Sequence, residues 1–301
     1  NTFESTIKYI CKNTGGKLII DDTVGGGKIT SATSSFSNGT IFAFGENADT
    51  AFLEIKGGTV ENADNTNLHF GYGGNAICSA SCTVNVTGGT VISSSGGAAI
   101  LNRNIYPFGS VNVISGTVKN TNTKKSSAIY NEGSGSVSIS GGTVDGGAGI
   151  AIHNVDMGLI TISGTAMVTG MVGINLTLGK IDRTVLEISG GTVESTKSSA
   201  EDESAAIKNV ERGNVRVLGG EVRATAKNVV AIHNKHGGQI QVLGGEVRAT
   251  ANNGIAINNT GSGNILIRGG KIENTAGGIA INSDGWNFVE IGGGTVSSTT
   301  G

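Results

Sequence analysis

Proline occurs once in 301 residues, and the aromatic side chains make up only 4 % of them. So few large rings cannot fill a thick globular core, because bulky apolar groups are what such a core is packed from. Charge is also scarce: Asp, Glu, Lys and Arg together reach 15 %, with a formal net charge of −2. A near-neutral chain has no general electrostatic pull on nucleic acid or an anionic membrane, so nucleic acid is not an expected partner. Long apolar runs are missing too. The longest weakly polar stretch, 166–178, is broken by Thr169, Asn175, Thr177 and glycines, short of the roughly eighteen apolar residues a spanning helix needs. Cysteine is limited to Cys11, Cys78 and Cys82. Cys78 and Cys82 either close a small disulfide loop at a turn or stay free thiols, and nothing nearby completes a four-ligand zinc site. Neither a metal nor any other cofactor is expected.

Glycine, by contrast, takes 51 positions. It does so without the G-X-Y period of collagen, and low charge with ordinary apolar content argues against disorder. The class that remains is a thin, glycine-punctuated fold that grows by repetition.

A Gly-Gly-(Thr/Glu/Lys)-(Val/Ile) signature sets the register. Copies begin at Gly26, Gly57, Gly88, Gly141, Gly190, Gly219, Gly244, Gly269 and Gly293, and degenerate copies at Ser115 and Gly164 fill the gaps. The segment 217–226 recurs letter for letter at 242–251. Before the glycines runs an alternating pattern, as in Val84-Asn85-Val86 or Val215-Arg216-Val217, with the period of two of a strand that buries one face. About a dozen residues earlier stands Ala-Ile-x-(Asn/Ser), as at Ala128-Ile129 and Ala231-Ile232, and after the glycines a short Thr-Val-Glu type strand. Each unit of ~25 residues therefore carries three short strands. It cannot bury its apolar face alone, but stacked coils can, each pairing in parallel with the next.

These units resemble those of the right-handed parallel β-helix of the pectin-lyase-like superfamily, and in particular repetitive bacterial cell-surface β-helix proteins. The expected fold is all-β: one single-stranded solenoid domain over 1–301, of about eleven coils. Phe3, Ile7, Ile10 and Cys11 fall at helical spacing with Thr2 as N-cap, so residues 2–14 are expected to form an amphipathic helix. By the resemblance, that helix (residues 1–16 with its flanks) caps the first coil, and 17–301 form the coils. Asn102, Asn131, Asn154, Asn209, Asn234 and Asn259 share one equivalent position, which the resemblance implies is a structural asparagine ladder.

Enzymes of this superfamily generally act on polysaccharides, and in its lyases and hydrolases the site typically lies outside the strand that corresponds here to Ala-Ile-x-Asn, beside the loops leading into it. The outward x column reads Cys78, Leu101, Tyr130, His153, Asn175, Lys208, His233, Asn258 and Asn282. It holds no carboxylate, whereas glycoside hydrolysis by the usual route needs two. No catalytic residue is assigned. Tyr130, His153, Lys208 and His233 are the candidate glycan contacts. His153 with Asp156 is the one close His/acid pair, and Glu201-Asp202-Glu203 is an acidic turn that reads as solvated rather than as a Ca²⁺ site. After the corner, Glu221/Arg223, Glu246/Arg248 and Lys271/Glu273 are expected to pair laterally and between coils.

The chain opens on Asn1-Thr2-Phe3 with no initiator Met and is expected to be a piece of a longer, secreted precursor. Its C-terminal coil is expected to be covered by further chain or another molecule. The leading expectation is a non-catalytic secreted or cell-surface module, a stalk or adhesion element whose partner is a polysaccharide or a cell-surface molecule. The alternative is a polysaccharide lyase or glycoside hydrolase with residues on the longer turns 61–75, 119–127 and 194–205.

Overall fold

The computed structural model describes residues 2–5, 11–13, 16–32, 34, 39–45, 51–64, 74–104, 109–123, 126–177, 183–198 and 204–299. The chain divides into two units, Asn1–Gly158 and Leu159–Gly301. Each is a parallel β-solenoid of stacked coils. The described residues carry about 8 turns and no helix.

Alternation decides which side chains go inside. In Thr90–Ser93, Ser110–Val113 and Thr117–Asn120, each second residue is buried and its neighbours are only partly so. Parallel pairing then stacks like on like. In the first unit Ile41, Ile77, Ile100, Ile129 and Ile152 lie in one register. The second has its own such column, Ile174, Ile207, Ile232, Ile257 and Ile281. Val60, Val91, Val118 and Val144 form the column behind the glycine corner of the first unit, all fully buried. Each such side chain contributes ~1.5–3 kcal/mol relative to exposure, so a narrow core of Val, Ile and Ala is enough when every coil repeats it.

The corner explains the glycine count. At Gly89 φ is +65°, and an added Cβ would lie 2.6 Å from the carbonyl oxygen of Gly58 in the coil before. Gly58, Gly116 and Gly142 share this left-handed conformation, and the degenerate copy at Gly116 thus keeps the one glycine that matters. The first corner is built differently. The Asp22 carboxylate accepts backbone N–H groups from Val24 at 3.3 Å, Gly25 at 2.9 Å and Gly27 at 2.6 Å.

The capping helix expected over 2–14 is not what the described residues form. Thr2–Ser5 is a strand paired in parallel with Lys28–Ser31, and Cys11–Asn13 is a strand paired with Gly39–Phe44. The physical reason is that apolar residues four apart fit short strands as well as one helix. A neighbouring strand edge with open backbone groups offers ladder bonds that a helix would forgo. The register continues the repeat: Phe3 aligns with Ile29 and Cys11 with Ile41.

Candidate functional site

The Ala-Ile-x-Asn strands carry two rows worth separating: the asparagines, and the x column beside them. The asparagines are inside. In the first unit, Asn102 Nδ2 donates to Asn131 Oδ1 at 2.6 Å and Asn131 Nδ2 to Asn154 Oδ1 at 2.7 Å. In the second, Asn209 Nδ2 donates to Asn234 Oδ1 and Asn234 Nδ2 to Asn259 Oδ1, each at 2.8 Å. The same amides also donate to turn carbonyls four residues on: Asn131 to Gly135, Asn154 to Gly158, Asn209 to Gly213, Asn234 to Gly238 and Asn259 to Gly263. These side chains spend their donors inside the coils, while Asn102 Oδ1 and Asn209 Oδ1, at the start of the two runs, are buried with no hydrogen-bond partner among the described residues. In the second unit the row begins at Asn209 because its register neighbour is Leu176.

Three further buried asparagines, at equivalent strand ends but not adjacent to one another, escaped the sequence reading. Asn62, Asn120 and Asn274 end the strands after the corner and donate to Asn75, Gly97 and Gly254 carbonyls, respectively. The signal was present as a shared last residue, in Thr-Val-Glu-Asn62, Thr-Val-Lys-Asn120 and Lys-Ile-Glu-Asn274.

The x column is less open than alternation implied. Leu101 is 0 % exposed, His153 8 % and His233 9 %, so several outward positions are covered. The four candidate contacts fall in two pairs, one in each unit. In the first, Tyr130 and His153 are register neighbours whose rings meet edge to face, centroids 5.0 Å apart at 84°. In the second, the half-buried Lys208 lies in register between Asn175 and the buried His233, and Asn282 Nδ2 donates to Asn258 Oδ1 at 2.8 Å further along.

Two further residues join the first pair. Arg103 and Glu132 are cross-strand neighbours two positions beyond the x column, with Arg103 Nε 3.5 Å from Glu132 Oε2 and both side chains partly exposed. Opposite charges at one repeat position were the sequence signal for them. Burial depresses the His153 pKa to about 4, which keeps the imidazole neutral at physiological pH. Burial, and then the Glu132 carboxylate, raises that of Tyr130, which keeps the phenol protonated. The cluster presents a guanidinium, one carboxylate and a phenol beside a buried, neutral imidazole. It lacks the second carboxyl of a glycosidase pair.

The Asp156 carboxylate accepts the N–H of Met157 at 2.8 Å in an exposed turn. Glu201-Asp202-Glu203 lies outside the described residues, as do parts of the three longer turns. Among the described residues, no group of three or more His, Cys, Asp or Glu side chains could hold a metal ion. Cys78 and Cys82 are buried thiols outside any disulfide, the pKa of each pushed up to about 12 by desolvation, and so protonated and poorly nucleophilic. An open groove at the first glycine corner contains Asp22 and Lys28. There the hydrogen bond from Gly27 leads those that hold the Asp22 carboxyl below its usual value, so its oxygens are committed to the turn.

The expected ion-pair rows are present. Arg223 meets Glu194 at 2.8 Å and Glu221 at 3.0 Å, Arg248 meets Glu221 and, at 3.9 Å, Glu246, and Lys271 meets Glu273 at 2.6 Å. Comparison with family models, curated proteins and solved structures returns no match for this chain.

Proposed function

We propose that the chain is a non-catalytic, secreted or cell-surface solenoid module that works as a stalk or adhesion element. On this reading the fold is a right-handed β-helix of the pectin-lyase-like kind with about eleven coils. The observation that carries it is where the polar chemistry goes. The asparagines bond coil to coil, and outward charges are joined across neighbouring strands, as in Arg216–Glu187 at 3.0 Å and Arg268–Glu290 at 2.7 Å. Side chains used in this way hold a stack together. A polysaccharide or a cell-surface molecule is the partner this module would contact, with Tyr130 and Arg103 the reachable groups on the first unit and Lys208 on the second. Incubating the purified protein with pectins, host glycans and bacterial polysaccharides is expected to release no product, and robust turnover of any of them would overturn the proposal.

The second reading, a polysaccharide lyase or hydrolase, is favoured by one observation, the gathering of Arg103, Tyr130, Glu132 and His153 on one face. Under it, the same screen finds a substrate, and Tyr130→Phe and Glu132→Gln abolish its turnover while leaving the far-UV dichroism unchanged.

A further inference from the structure

We draw no further inference here: the strongest candidate, the apolar edge that Ile279, Val289, Ile291 and Val296 leave open beside the exposed Trp286 and Phe288 in the last strands of the second unit, carries none because nothing in the structure shows what covers it.

Discussion

His153 pairs a polar ring with an apolar setting, and pH is the variable that reveals the cost. Its folded-state pKa is about 4, against about 6.5 for an ordinary histidine. Between those values the unfolded chain binds a proton that the folded chain does not, so stability falls as pH drops from about 6.5 and levels off below about 4. The difference amounts to about 3 kcal/mol. His153→Gln is expected to flatten that part of the stability–pH curve, measured by urea denaturation from neutral to acid pH. An unchanged slope in the variant would place the acid sensitivity elsewhere. The sequence marked His153 as outward, since it alternates with inward Ile152. It could not show the burial, because cover over a sheet face comes from segments distant in the chain.

Strands and turns follow two rules here, one at the corner and one at the asparagine row. At the corner, Gly245 has φ +69°, and an added Cβ would lie 2.6 Å from backbone atoms of Gly219 and Gly220. Gly25 has φ +86° with nothing within 4 Å. Gly25→Ala should therefore lose only the conformational term, about 1 kcal/mol. Gly245→Ala adds a backbone clash and should lose several-fold more, with equilibrium unfolding of the two variants as the comparison. At the asparagine row, Asn234→Ala strips a donor from Asn259 Oδ1 and Gly238 O and an acceptor from Asn209 Nδ2, all buried. A loss of roughly 2–4 kcal/mol is expected, and thermal denaturation that cannot tell the variant from the parent would show the row to be dispensable. Both rules were legible beforehand, because a glycine pair and an Asn recurring at fixed offsets have few other uses. The first strands were not: Phe3, Ile7, Ile10 and Cys11 satisfy a helical spacing, and only the adjoining strand edges decide for Thr2–Ser5 and Cys11–Asn13. Arg103 and Glu132 lie one position beyond the aligned Asn102 and Asn131, so the repeat register already sets them side by side, but it does not give the 3.5 Å contact between their side chains.

For the whole molecule, energy accumulates coil by coil, because each strand bonds chiefly to its counterparts in the adjacent coils. The segment 217–226 and its letter-for-letter copy at 242–251 make this testable. Removing residues 218–242 joins Val217 directly to Leu243 and leaves the alternation and the glycine corner unbroken. Asn209 would then face Asn259, so the amide row would close over the deletion. The shortened protein is expected to keep its far-UV β-sheet signal and a cooperative transition, with the denaturant m-value reduced by about one coil's share of buried surface. Collapse to an unfolded chain would show that the coils are not interchangeable. The same identity has a bearing on inheritance. Where the codons match as the residues do, unequal recombination between the two identical stretches would lengthen or shorten the stack by whole coils of ~4.8 Å. Reach would then vary in discrete steps among descendants, without any residue of the remaining coils having to change.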